Sequence, residues 1–164
     1  RPPRELGMRT NAEDLETAFV ISGKARRLPE KQDGLLDSMS VSATVLEAVG
    51  LDGHESFKGV SAFGKGMKYV ISENAGRGSA DLDRKDLYFA VSSQEYKLQA
   101  VLKGYQLHVQ ALYDRIADPE EKTNVCAEES HQRVRSELIS HLYRERKELF
   151  VRRDCRPIEV DLAS

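Results

Sequence analysis

The sequence predicts an α/β protein in which the end of a mixed α/β layer precedes a small antiparallel sheet that is covered by a long helix. Three observations support this class. An apolar run and an amphipathic helix fill the first third. Three strand candidates with very short connections follow, and a stretch with apolar residues at every fourth position comes last. We therefore expect two domains, residues 1–66 for the α/β part and residues 67–164 for the sheet with its helix.

The first third supplies one strand and one helix. Residues 17–22 form a continuous, partly β-branched apolar run, which favours a strand buried on both faces. Residues 40–49 have helical periodicity, with Ser40 as a candidate N-cap and Gly50 as a natural stop. One face of this helix is apolar and carries Val41, Val45, Ala48 and Val49.

The middle of the chain predicts a meander. A strand candidate at 67–72 is followed, after a loop, by strands at 86–91, 96–102 and 105–113. The connections between the last three are too short for anything but antiparallel neighbours. In the third of them the apolar residues alternate with polar ones, which predicts one solvated face; they are Tyr105, Leu107, Val109 and Ala111.

A helix start and a long helix are predicted near the end. Asp118 offers an N-cap, Pro119 fits the first helical position, and Glu121 stands where a capping box places an acid. The long helix is expected over about 127–148, with one apolar stripe made of Val134, Leu138 and Leu142.

Bulk composition excludes some classes of function. The chain has 164 residues, 40% of them apolar and 32% charged, with a net charge of −2, so it has no electrostatic reason to bind nucleic acid or an anionic membrane. No apolar run reaches transmembrane length, and the first residues of this sequence have no signal-peptide pattern. Cys126 and Cys155 are typical of free thiols in a reducing compartment such as the cytoplasm, although one isolated bridge stays open and the compartment itself is not determined. The start at Arg1 suggests a cut through a longer chain, or processing.

Motifs for catalysis or metal binding do not emerge. No histidines have zinc spacing, residues 81–83 lack the further oxygens of an EF-hand, and no nucleophile elbow or Cys–His pair is present. Two glycine-flanked cations are candidates for binding a substrate anion: Arg77, in Gly76-Arg77-Gly78-Ser79, and Lys65. A plain flexible turn is the favoured interpretation of both segments, and Lys65 has less support than Arg77. We predict no catalytic residue and no metal ligand in this chain.

Six segments, in order, resemble the last third of sulfatases of the alkaline-phosphatase superfamily, over roughly residues 17 to 125. The most specific is Leu112-Tyr113-Asp114 followed by Asp118-Pro119, Glu121 and Asn124, similar to "LYD…DP.E..N". The others are Phe19–Gly23, Ser40–Leu51, Phe57–Ser61, Val70–Glu73 and Val91–Lys97. The resemblance implies the end of a large mixed-sheet domain, followed by a four-stranded antiparallel sheet packed on a long helix.

The resemblance also implies a chemistry for the full-length parent. A Cys or Ser in a C/S-x-P-x-R motif becomes formylglycine, and a calcium ion held by Asp and Asn or His residues polarises the sulfate ester of a small molecule or glycan. Neither Cys126 nor Cys155 matches that motif, so this chain is expected to hold no cofactor and to need the N-terminal catalytic part as its partner.

Departures from the family pattern leave other readings open. Ser40, Ala43 and Ala18 stand where sulfatases usually have Asp, Pro and Pro, and Arg9 is the nearest counterpart of a family Lys. The alternatives are another enzyme of the superfamily, such as a phosphodiesterase or phosphotransferase, and a non-catalytic structural or binding module.

Overall fold

The computed structural model describes residues 15–22, 34–51, 53, 55–74 and 86–152. Contacts divide the chain into two compact units, residues 17–70 and residues 71–164 together with 1–16, which are described separately below. The domain boundary expected between residues 66 and 67 stays a prediction. The elements are helix α1 (Ser40–Ala48), strands β1 (Val70–Asn74), β2 (Leu87–Ser92), β3 (Tyr96–Lys103) and β4 (Gln106–Asp114), a 3₁₀ turn (Glu129–His131), and helices α2 (Gln132–Glu145) and α3 (Lys147–Arg152).

The larger unit is built on a four-stranded sheet in the order β1-β2-β3-β4. The pairs β2–β3 and β3–β4 are antiparallel. Strand β1 starts three residues later than the strand predicted at 67–72. The predicted small antiparallel sheet with a C-terminal helix is confirmed.

The β3–β4 hairpin confirms the predicted pairing but moves its turn by one residue. Lys103 pairs with Gln106, so the two-residue turn is Gly104-Tyr105. Gly104 has φ 55°, a left-handed conformation that glycine adopts without a steric penalty. Tyr105 is therefore 68% exposed in the turn and is not the first apolar residue of the strand.

A β-bulge changes which face the end of β4 presents. Gln99 pairs with Ala111 and Ala100 pairs with Val109, so Gln110 is the extra residue. Because directly opposed residues share a face, Val109 lies on the face of Ala100 while Ala111 lies on the other face. The prediction of one alternating apolar face from Tyr105 to Ala111 holds only for Leu107 and Val109.

Helix α2 covers one face of the sheet by packing against β2 and β3. Leu138 and Leu142 are 1% and 0% exposed, which confirms their predicted burial, while Val134 is only half-buried. Beyond α2, the ring of Phe150 lies 6.3 Å from that of Phe89 on β2.

The long helix is shorter than predicted at its start and is interrupted near its end. It begins at Gln132 instead of about residue 127, because the Val125 N–H donates to Leu112 O of β4 and holds this stretch against the strand. It stops at Arg146, whose backbone (φ −116°, ψ 27°) is no longer helical, and α3 continues from Lys147.

In the smaller unit, α1 presents the opposite face from the one that its periodicity suggests. Ser40 and Thr44 are fully buried, whereas Val41, Val45 and Val49 are exposed. The Thr44 hydroxyl donates to Ser40 O at 2.6 Å and accepts the Ala62 N–H at 2.9 Å. A polar side chain thus ties the loop after the helix to the helix itself.

Both predicted ends of α1 can be compared with the structure. Ser40 is the first helical residue and not the N-cap, which is Met39. The Asp37 carboxylate accepts the Ser40 N–H at 2.9 Å. Asp37 thus provides the side-chain acceptor at the start of the helix that was predicted for Ser40. Gly50, with φ 74°, ends the helix as predicted, and the Leu51 N–H returns to Leu46 O at 2.9 Å.

The loop of the smaller unit approaches α1 so closely that only glycine fits at one position. A Cβ on Gly59 would stand 2.2 Å from the backbone carbonyl carbon of Met39. Leu35 and Met67, on either side of α1 and this loop, pair in an isolated antiparallel bridge.

The prediction of a strand at residues 17–22 is wrong. No strand is formed there, and the side chains of Phe19 and Val20 are 39% and 85% exposed. A strand buried on both faces needs neighbouring strands and a covering layer on each side, and the described residues supply neither.

Candidate functional site

The strongest cluster of polar side chains lies in the 114–124 loop, which follows β4. The Asp114 carboxylate accepts the N–H groups of Ile116 and Ala117, both at 2.9 Å. The Asp118 N–H then donates to Asp114 O at 2.8 Å. Asp114 thereby stabilises the turn that reverses the chain at the end of the sheet.

Asp118 does not cap a helix, which corrects the prediction made for it. No helix follows it; the Glu121 N–H donates to Asp118 O at 3.1 Å in a turn, and the Asp118 carboxylate accepts the Thr123 N–H at 2.6 Å. Glu121 has φ 54°, which is incompatible with a capping box. The Asp-Pro-Glu-Glu pattern has the composition of a helix start, but tertiary contacts of Glu121 override it.

Asn124 closes the edge of the sheet with its side-chain amide. Its Oδ1 accepts the Leu112 N–H at 3.0 Å and the Cys126 N–H at 3.0 Å, and its Nδ2 donates to Gln110 O at 3.1 Å. The amide therefore replaces a neighbouring strand for two backbone groups of β4 beside the bulge.

Lys97 and Glu121 form a buried ion pair between β3 and this loop. The Lys97 Nζ lies 2.9 Å from both carboxylate oxygens, and the side chains are 3% and 5% exposed. Burial lowers the pKa of Lys97 from its ordinary value, while the hydrogen bond and charge of Glu121 act in the opposite direction. The left-handed backbone of Glu121 delivers its carboxylate to the ammonium group.

The groups around the pair are also held in place. Arg115 donates to Ser93 O at 3.0 Å and forms an ion pair with Glu16. Burial raises the pKa of Tyr113, and the charges of Glu121 and Asp118 add to the effect. The cations and anions of this cluster thus satisfy one another and the backbone, which is the arrangement of a structural clamp.

Solved structures share this fold. The chain resembles a 2-O GAG sulfatase at 19% identity with a TM-score of 0.54, over 72% of this chain and 26% of that chain. A protein from Bacteroides thetaiotaomicron VPI-5482, provisionally named a sulfatase, matches equally well over 73% of this chain and 26% of its own. The fold is that of the sulfatases. No protein-family model and no curated protein matches the sequence.

The match confirms, at the level of the fold, the resemblance that the six sequence segments indicate. The chain spans about a quarter of the length of the solved sulfatases that it matches. The residues that resemble "LYD…DP.E..N" therefore form the end of β4 and the loop after it. In this chain that loop holds β3, β4 and the segment before α2 together.

The substrate-anion candidates in this sulfatase fold are not brought together by the described residues. Lys65 is exposed in the turn at 62–65 of the smaller unit. Arg77 lies outside the described residues, as do His54 and the acidic pair Asp81 and Asp83. Lys65 and Arg77 stay predictions.

The remaining reactive side chains are accounted for in the described part of the chain. Cys126 is a buried free thiol, and Cys155 lies outside the described residues. His131 packs edge-on against Tyr96 with ring centroids 5.8 Å apart. Within the described ranges no group of three or more His, Cys, Asp or Glu residues is placed to hold a metal ion, and no helix has the length and apolarity of a membrane span.

Sequence reasoning missed the Lys97–Glu121 pair and the bridging role of Asn124. A signal for the pair was present, because Lys97 is a charge inside an otherwise buried strand with an acid in the loop beyond the next strand. Asn124 belongs to the segment that resembles "LYD…DP.E..N", but nothing in the sequence indicates its bridging role, since its partners are backbone groups that any sequence provides.

Proposed function

We propose that this chain is the C-terminal part of a sulfatase-like hydrolase whose parent hydrolyses sulfate esters of a small molecule or glycan. The observation that carries the proposal is the match to solved sulfatases at a TM-score of 0.54, over 72% of this chain but 26% of theirs. The ordered series of resembling segments up to Asn124 points to the end of the family fold. A sulfatase belongs to the hydrolases of sulfuric esters.

The chain's own contribution is a scaffold. The Lys97–Glu121 pair and Asn124 fix the loop after β4, and α2 packs on one face of the sheet. Lys65 and Arg77 are the residues that we place at the rim of the parent's substrate pocket, where a cation would attract a sulfate group.

Calcium and formylglycine would come from the rest of the parent. The described residues do not fit a calcium site, because no cluster of suitable ligands occurs among them. Cys126 is followed by Ala127-Glu128-Glu129, and Cys155 by Arg156-Pro157-Ile158 and then Glu159, where the nucleophile motif requires Arg. When bound, calcium would stabilise the negative charge on the sulfate oxygens.

The first test concerns the isolated chain. We expect the purified chain to release no sulfate from an aryl sulfate with calcium present, because its sequence contains no C/S-x-P-x-R nucleophile. A Cys155→Ala variant serves as the control for the nearest approach to that motif. Turnover by the chain that disappears in the variant would contradict the expectation.

The second test concerns the parent. We expect the coding sequence upstream of this chain to encode a C/S-x-P-x-R motif, and the longer polypeptide to hydrolyse an aryl sulfate. Replacing the motif's Cys or Ser by Ala is the control and should abolish turnover. Cleavage of an aryl phosphodiester instead would favour another member of the alkaline-phosphatase superfamily, and absence of the motif would favour a non-catalytic module.

A further inference from the structure

Helix α1 carries an apolar stripe that faces outward. Val41, Val45 and Val49 are 41%, 52% and 64% exposed, and Leu51, just beyond the helix, is 60% exposed. The three valines are spaced four residues apart, so they lie on one side of the helix. These four residues are called the α1 stripe below.

The α1 stripe reverses the usual arrangement of a helix in a globular protein. The buried residues of α1 are Ser40 and Thr44, which are polar, while its valines face solvent. Single exposed apolar residues are ordinary, but a contiguous apolar stripe marks a surface that binds something. Since the polar side is already satisfied within the smaller unit, the stripe is the side that remains for a partner.

The chemistry of the stripe limits what it can bind. Glu47 is the only charged residue in α1, and neither an acid in the first turn nor a base in the last turn is present. A nucleic acid or a charged peptide would find no complementary group there. An apolar face of a sheet or helix is the matching surface, as between the layers of an α/β domain.

We propose that the α1 stripe is the docking surface for the α/β part of the sulfatase fold that this chain does not contain. The solved sulfatases are about four times as long as the part that this chain matches, so the fold includes a large body that these residues do not provide. This inference rests on the proposed function and assigns that body its contact residues.

Chemical labelling of single cysteines tests the stripe. Val45→Cys is made in a Cys155→Ser background and labelled with a thiol reagent, in this chain and in the longer polypeptide that adds the sequence encoded upstream. Mass spectrometry reads each site separately. In the longer polypeptide we expect labelling at residue 45 to be at least about tenfold slower, because the reagent then has to wait for the interface to open.

A matched control and a second site accompany the measurement. Val151 is also a helical valine, 69% exposed on α3 of the larger unit, and Val151→Cys should be labelled at the same rate in both polypeptides. Val49→Cys repeats the test at a second position of the stripe and should be protected as residue 45 is.

The outcomes separate this inference from the proposed function. Equal labelling of residue 45 in both polypeptides, when the upstream sequence does contain C/S-x-P-x-R, overturns the docking surface alone. A dimer of the longer polypeptide by light scattering that Val45→Asp converts to a monomer, while Val151→Asp does not, overturns it in favour of a second copy. Absence of any sulfatase-like upstream sequence overturns both proposals.

Discussion

At the scale of single residues, Lys97 and Glu121 form the most deeply buried ion pair in the described part of the molecule. Removing the ammonium group leaves a carboxylate that is 5% exposed without its cation. We expect Lys97→Met to reduce the free energy of unfolding by about 3–5 kcal/mol, the range for breaking one side of a buried pair. Urea denaturation measures the change.

A double-mutant cycle isolates the pair from other effects of the two substitutions. Glu121→Gln keeps the size of the side chain, and the double variant has no charge left to bury alone. We therefore expect the double variant to be less destabilised than the sum of the two single variants. Additive losses would mean that the two side chains are not energetically coupled.

Asp118 has a different role from the one that its sequence context suggests, but its carboxylate still accepts a backbone N–H. Asp118→Ala removes the acceptor of the Thr123 N–H, so we expect a loss of about 1 kcal/mol in the free energy of unfolding. Asp118→Asn keeps an acceptor oxygen and should be milder. Glu120→Ala is the control, because Glu120 is exposed and its ion pair with Lys122 lies at the surface. Coincident urea midpoints for Asp118→Ala and the parent would show that Asp118 does not stabilise the 114–124 loop.

At the scale of elements, α2 depends on two leucines for its hold on the sheet. Leu138 is 1% exposed, and Leu138→Ala empties a core position that the neighbouring strands cannot refill. We expect a loss of about 2–5 kcal/mol, whereas Val134→Ala, at a half-buried position, should cost less. Thermal and urea unfolding should rank the two variants in that order. Equal effects would show that α2 does not pack through the face of Leu138 and Leu142.

The loop of the smaller unit depends on a glycine instead of on apolar contacts. Gly59→Ala would place a methyl group 2.2 Å from the Met39 backbone, which neither segment can relieve without moving. Gly53→Ala is the matched control in the same unit, because nothing lies within 4 Å of its Cβ position. We expect faster amide hydrogen exchange in α1 for Gly59→Ala only. Unchanged exchange in both variants would show that the loop does not depend on this contact.

At the scale of the whole molecule, the two units are stabilised very unevenly. All the buried apolar side chains of the described residues lie between Leu87 and Phe150, whereas the fully buried side chains of the smaller unit are Ser40 and Thr44. Local opening should therefore cost less in α1 than in β2 and β3. We expect amides of α1 to exchange at a lower free energy than those of β3. Equal protection of the two elements would contradict this difference between the units.

Prediction from the sequence succeeded where one local pattern had one physical solution. Two short strands joined by a two-residue turn had to pair antiparallel, although the turn is Gly104-Tyr105 and not the predicted Lys103-Gly104. Leu138 and Leu142, four residues apart, had to face the same side. It failed at α1, where periodicity identified the apolar side of the helix but not which side is covered. It also failed at residues 17–22. An apolar run indicates that a strand would be buried, but it does not show that the neighbouring strands and layers needed to bury it are present.

The sequence by itself determined the class of fold, the sheet with its helix, and the resemblance to sulfatases, because hydrophobic periodicity and turn chemistry are local properties. Only the tertiary structure decided the roles of Asp118, Glu121 and Asn124. Glu121 and Asn124 find their partners on β3 and β4, up to 24 residues away in the Lys97–Glu121 pair. The Asp118 carboxylate accepts the Thr123 N–H within the loop that these contacts hold. The bulge at Gln110 is of the same kind, since register across two strands decides which side of the sheet Ala111 joins. Contacts between distant residues override local preference whenever a buried charge or a backbone group would otherwise lack a partner.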